Sequence, residues 1–183
     1  MAKRYLALND SQRQFIAAQR MYFVGTATAS SRVNISPKGM DSLRVLDAQR
    51  VVWLNLTGSG NETAAHVQAQ PRMTLMFCAF DGPAQILRLY GQARVIHPAD
   101  ADWPALAALF PPLPGARQIF DLHIDLVLTS CGEGVPRYTY VEDRQTLLDW
   151  ANKKGEDGLR QYRAEKNAVS LDGLPTHIVD KEG

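Results

Sequence analysis

The sequence predicts a mainly β protein, an antiparallel barrel or sandwich with flanking helices. Three observations carry this reading. Six or seven short runs rich in β-branched and aromatic residues follow one another between turn residues. Too few helical segments separate them for the alternating order of a parallel sheet. The helical pattern gathers instead at the C-terminal end, from Arg144 onward.

The first element is a short helix. Ser11 and Gln14 have the spacing of a capping box, and Phe15, Ile16 and Ala18 supply an apolar face. Residues 22–28 form a strand, Ser30, Ser31 and Arg32 break it, and a hairpin returns through residues 33–36. Pro37, Lys38 and Gly39 turn the chain again. Residues 43–46 and 51–56 read as two further strands. The loop 57–63 is irregular, and residues 64–70 form a helix that ends at Pro71. Strands over 73–80 and 86–96 flank the turn Asp81-Gly82-Pro83. Residues 99–110, rich in Ala and Leu, predict a helix that stops at Pro111-Pro112. Leu122, Ile124, Leu126 and Leu128 alternate with polar neighbours as one half-buried strand, and residues 135–141 are expected to pair with it. After Arg144, Leu147, Leu148 and Trp150 share a helix face, and Gly155 divides this helix from a second through Leu159, Tyr162 and Lys166. The expected organisation is a barrel over residues 1–143 with a helical extension, 144–183, packed on the same domain.

Composition excludes several functional classes. Lys and Arg number 20 against 19 Asp and Glu in 183 residues, a net charge of +1, which lacks the basic excess of backbone-driven nucleic-acid binders. Hydrophobic residues at 45%, charged residues at 21% and a mean hydropathy of -0.22 describe a folded globule and not a disordered chain. No apolar run is long enough to span a bilayer, and the N-terminus lacks the apolar core of a secretory leader. No membrane or nucleic-acid partner is expected, and the cytoplasm is the expected location. Cys78 and Cys131 read as buried free thiols, and no metal-ligand spacing is present.

The loop Gly58-Ser59-Gly60-Asn61-Glu62-Thr63 is the most informative stretch. It joins a strand to a helix whose first N–H groups have no internal partner, and these donors, with the helix dipole, suit an anion. Ser59, Asn61 and Thr63 add hydroxyl and amide donors. The same pattern also serves as a simple turn and N-cap. It is neither a Walker loop nor a dinucleotide fingerprint.

The surrounding residues bear on this choice. Val33-Asn34-Ile35-Ser36-Pro37-Lys38-Gly39, then Gly60-Asn61-Glu62-Thr63-Ala64-Ala65-His66, then Pro71-Arg72-Met73-Thr74-Leu75 and Leu89-Tyr90-Gly91-Gln92 resemble, in this order, the pyridoxamine 5'-phosphate oxidase-related family of FMN-binding split barrels. A C-terminal run, Asn167-Ala168-Val169-Ser170-Leu171-Asp172-Gly173-Leu174-Pro175, resembles a subgroup of that family. The resemblance implies a six-stranded antiparallel split barrel, a homodimer with FMN at its interface, and FMN-dependent oxidation or reduction of a small molecule, with NAD(P)H as a candidate electron donor. The competing class is a non-catalytic flavin or haem carrier or sensor on the same fold. The resemblance places the flavin against Asn34, Ile35, Ser36 and Lys38 and against Leu54 and Asn55, and its phosphate at Ser59, Asn61 and Thr63. The true oxidase opens this helix with Ser-Arg-Lys, where this chain has Asn61-Glu62-Thr63. Phosphate would therefore rest on neutral donors, with Lys38 or Arg88 as charge partners and Glu62 turned out of the pocket. No side chain is assigned a catalytic role, because hydride transfer to a flavin requires none. His66 reads as a surface or packing residue, Trp53 and Trp150 as core, and His123 and Asp125 as a solvated sheet face.

Overall fold

The computed structural model describes residues 2–181. It contains eight strands, β1 (Lys3–Tyr5), β2 (Tyr22–Thr26), β3 (Asn34–Lys38), β4 (Leu43–Val45), β5 (Arg50–Leu56), β6 (Arg72–Cys78), β7 (Ile86–Ile96) and β8 (Ala116–Ser130). Four helices accompany them, α1 (Asp10–Ala18), α2 (Glu62–Ala69), α3 (Trp103–Ala107) and α4 (Thr146–Lys166). The strands form one antiparallel sheet in the order β3-β2-β6-β7-β8-β5-β4, with β1 added against β8. It is the mainly antiparallel half-barrel with flanking helices that the sequence predicts, with eight strands where six were expected.

The sheet curls around a core in which Val24, Val51, Leu75, Phe77, Leu87, Leu89 and Leu122 meet. Trp53 stacks on Phe120 inside it, ring centroids 4.4 Å apart. A second cluster lies on the opposite face of β5, where Val52 and Leu54 pack with Ile119, Leu106 and Phe110. Both faces of β5 are thus covered, which explains its unbroken apolar run.

Several elements depart from the sequence reading, each for a local reason. Asn9, not Ser11, caps α1: its Oδ1 accepts from Gln12 N at 2.9 Å and Gln12 Oε1 accepts from Asn9 N at 3.0 Å. Pro37 lies inside β3, which an edge strand tolerates because one side of its backbone needs no ladder partner. The helix expected over 99–110 is confined to five residues because Pro104 fits only the first turn. Residues 135–141 form no strand; Gly132, Gly134 and Pro136 interrupt pairing, and the segment is tied down by a local turn, Val135 N to Gly132 O at 2.8 Å, and by Tyr138 N to Phe80 O at 2.9 Å. Gly155, at φ 66°, breaks α4 into the two expected helical pieces. Cys78 is buried, but Cys131 is exposed; both are free thiols. Among the described residues no helix is long and apolar enough to cross a membrane.

Candidate functional site

The edge strand β3 turns alternate residues to one side. Asn34, Ser36 and Lys38 share the face of their β2 partners Thr26, Val24 and Tyr22, whereas Ile35 faces outward and is 66% exposed. Those three side chains, with Leu54 and Asn55 from β5 and the loop 58–63, line an open cavity of about 420 Å³. Met40, Arg117 and Leu147 are also part of its wall. Ile35 does not line it, because the period-2 alternation of the strand turns it away.

Arg88 also lies elsewhere. Alternation on β7 sends Leu87 and Leu89 into the core and Arg88 to the outer face, where Nη1 donates to Ser130 Oγ at 3.3 Å. The cation that does reach the cavity, besides Lys38, is Arg117. In the pairing of β5 with β8, Asn55 faces Gln118 and Leu56 faces Ala116, so Arg117 is the extra residue of a β-bulge. A bulge re-aims a side chain that the regular ladder would direct elsewhere. Its signal in the sequence is faint: residues 117–122 are buried without interruption, so β8 shows no alternation there and was readable only from Leu122 onward.

The electrostatics are unusual. Arg117 is 3% exposed, and among the described residues no carboxylate lies within ion-pair distance of it or of Lys38. Nη1 donates to Asn167 Oδ1 at 2.6 Å and Nη2 to Gly60 O at 2.7 Å, while Nε finds no acceptor. Burial, with repulsion from Arg163, lowers the Arg117 guanidinium to about 9. Lys38 Nζ donates to Asn55 Oδ1 at 3.1 Å and lies 5.2 Å from the centre of the Trp53 ring. Burial and the Arg117 charge lower it to about 8. Two cations without a carboxylate beside them are costly unless an anion joins them.

The neutral donors are arranged as follows. Asn34 Nδ2 donates to Thr63 Oγ1 at 3.1 Å and Ser36 Oγ to Asn34 Oδ1 at 3.2 Å, leaving the Thr63 hydroxyl proton for the cavity. Ser59 is exposed at the loop tip. Asn61 is buried and makes no cap bond; its Nδ2 donates to Asn167 O at 3.4 Å. Glu62 borders the cavity, but both carboxylate oxygens accept from Leu171 N at 3.0 Å, which turns the charge toward the C-terminal segment. That segment, carrying the Asn167–Pro175 motif, is folded over the start of α2 and also holds Arg32 through Asp172.

The remaining candidates are structural. His66 is buried, its Nδ1 3.1 Å from Thr26 Oγ1. His123 and Asp125 are exposed on β8. Trp53 is core, and Trp150 packs edge-on against Tyr162 with centroids 5.0 Å apart.

The fold and cavity together define a class of antiparallel half-barrels with a cationic cavity between the edge strand and the α2 loop. Comparison with known proteins names it. The family model described as pyridoxamine 5'-phosphate oxidase matches residues 8–131. A pyridoxamine 5'-phosphate oxidase family protein of Aspergillus flavus, ustO, is 34% identical over 93% of this chain and 76% of its own length. The chain belongs to the pyridoxamine 5'-phosphate oxidase family. Among solved structures, HupZ of Group A Streptococcus superposes with a TM-score of 0.52 at 18% identity, covering 65% of this chain and 91% of its own. A Clostridium acetobutylicum protein of the pyridoxinephosphate oxidase family, related to general stress protein 26, gives 0.53 at 13% identity, covering 66% and 86%. These two similarities show the fold.

Proposed function

We propose that the protein is an FMN-binding flavoprotein that acts as an FMN-dependent oxidoreductase on a small molecule. The observation that carries this is the pair Lys38 and Arg117, two cations that share one cavity and have no carboxylate partner among the described residues. The donor set fits a phosphate with a planar ring beside it. The first N–H groups of α2, the Thr63 hydroxyl, Ser59 and Arg117 would hold the phosphate. Asn34, Ser36, Lys38, Leu54 and Asn55 would hold the ring system.

Bound flavin supplies the two-electron chemistry. The chain's residues bind, orient and shield. Asn55 fixes the Lys38 ammonium by accepting its hydrogen bond, and Lys38, at about 8, can hold or release a proton near neutral pH. Met40, Leu54 and Leu147 form the apolar part of the wall. The open side of the cavity is where a second copy of the chain would complete the site as a homodimer, with a small substrate and NAD(P)H as the reactants.

The test is direct. Purified protein is expected to carry the flavin absorption bands, to release FMN on denaturation, and to run as a dimer by light scattering. NADH or NADPH should bleach the bands and air should restore them. A haem spectrum, or failure to retain added FMN, contradicts the flavin reading; retained FMN that no reductant bleaches makes the protein a carrier or sensor.

A further inference from the structure

We infer that Asn167 is a positioning residue for the anion site, holding Arg117 and the loop 58–61 in register while leaving the guanidinium charge free for an anionic ligand. The inference rests on the reading of the cavity as an FMN phosphate site. It goes beyond it by bringing in a residue outside the matched family region, which ends at residue 131.

Asn167 ends α4 and is fully buried. Its side chain bridges two partners: Oδ1 accepts from Arg117 Nη1 at 2.6 Å, and Nδ2 donates to Gly58 O at 3.0 Å. Its backbone oxygen accepts from Asn61 Nδ2 at 3.4 Å and from Thr176 Oγ1 at 2.5 Å. Arg117 in turn donates to Gly60 O. Guanidinium, amide and loop carbonyls therefore form one closed network, and the amide is its hub.

The choice of an amide has an electrostatic consequence. Buried arginines ordinarily meet a carboxylate, which neutralises them. An amide oxygen accepts the same hydrogen bond without a net charge. The guanidinium is oriented but not cancelled, and its Nε–H has no acceptor among the described residues. The C-terminal segment supports this arrangement from outside: Leu171 N holds the Glu62 carboxylate, and Gln68 Nε2 donates to Thr176 O at 2.9 Å. The one acid at the loop is thus tied away by the same segment that supplies the neutral partner.

Asn167→Asp is the informative substitution, since it keeps the size and the acceptor toward Arg117 but adds a negative charge and gives up the donor to Gly58 O. Apo-protein is titrated with FMN and with riboflavin, which lacks the phosphate, and the unfolding temperature is followed in parallel. FMN affinity is expected to fall on the order of ten- to hundredfold, the range for hydrogen bonds to a charged group, while riboflavin affinity stays within about twofold. Should Asp at this position prevent folding, Asn167→Ser loosens Arg117 without adding charge, and the preference for FMN should shrink about tenfold. Parallel loss of both flavins, or a preference for FMN that survives substitution, overturns the inference and leaves Asn167 a structural tie. If the unsubstituted protein shows no preference for FMN over riboflavin, the phosphate reading itself fails, and that is seen before any substitution is made.

Discussion

Lys38 and Arg117 reach one cavity from strands β3 and β8, where burial, joined by the guanidinium charge, holds down the proton affinity of the Lys38 amine. They are brought together by two different devices, the alternation of an edge strand and the bulge opposite Asn55 and Leu56. Among the described residues no carboxylate neutralises either cation, so the cavity concentrates positive charge.

The pH dependence follows from this pair. Lys38 titrates near 8 in the folded chain, below its ordinary 10.5, so the unfolded chain binds the proton more tightly. Its burden on stability is therefore full below about pH 8 and is relieved as pH rises toward the ordinary value. Arg117, lowered to about 9, acts in the same direction at higher pH. The apo-protein should gain stability between these limits in thermal unfolding, and Lys38→Met should flatten the lower part of the profile. Affinity for a phosphate ligand should run the opposite way, falling as pH passes about 8, because the ligand favours the charged lysine.

The second bulge gives a steric prediction. Gly91 faces Ile124 where β8 carries one extra residue, and a Cβ at position 91 would stand 1.9 Å from His123 O. The clash is with backbone, which cannot rotate away. Gly91→Ala should cost about 2–3 kcal/mol in denaturant unfolding. Gly82, at φ 72° with open space around it, should cost only about 1–2 kcal/mol as alanine, from the backbone conformation alone.

Helix α1 separates its two candidate caps. Asn9→Ala should destabilise by about 1 kcal/mol, since it removes the acceptor for Gln12 N. Ser11→Ala should change stability by only a few tenths, as the Ser11 hydroxyl only donates to Asn9 Oδ1 at 2.7 Å. Equal effects would mean that the cap is not where the structure puts it.

These cases show what the sequence could and could not reveal. Strands with one covered face, β2 and β7, were legible by alternation or by β-branched content, and Gly155 marked the break in α4. The start of β8 was hidden because residues 117–122 are buried in succession and so carry no period. That concealed Arg117, whose place depends on a bulge, a relationship between two strands that no single segment records. Arg88, the other expected charge partner, stands between apolar neighbours, and the alternation that buries Leu87 and Leu89 turns it outward. The loop 58–63 stood out by composition. Its link to Asn167 is a contact distant in the chain, and only the folded structure brings the two together.

The most direct measurement of the central claim is calorimetric titration of the apo-protein with FMN and with riboflavin, repeated on Arg117→Gln. The unsubstituted protein should bind FMN more tightly than riboflavin, and Arg117→Gln should remove about 1.5–3 kcal/mol of that difference while riboflavin binding is nearly unchanged. Equal affinity of the unsubstituted protein for FMN and riboflavin would contradict the assignment of this cavity as a phosphate site.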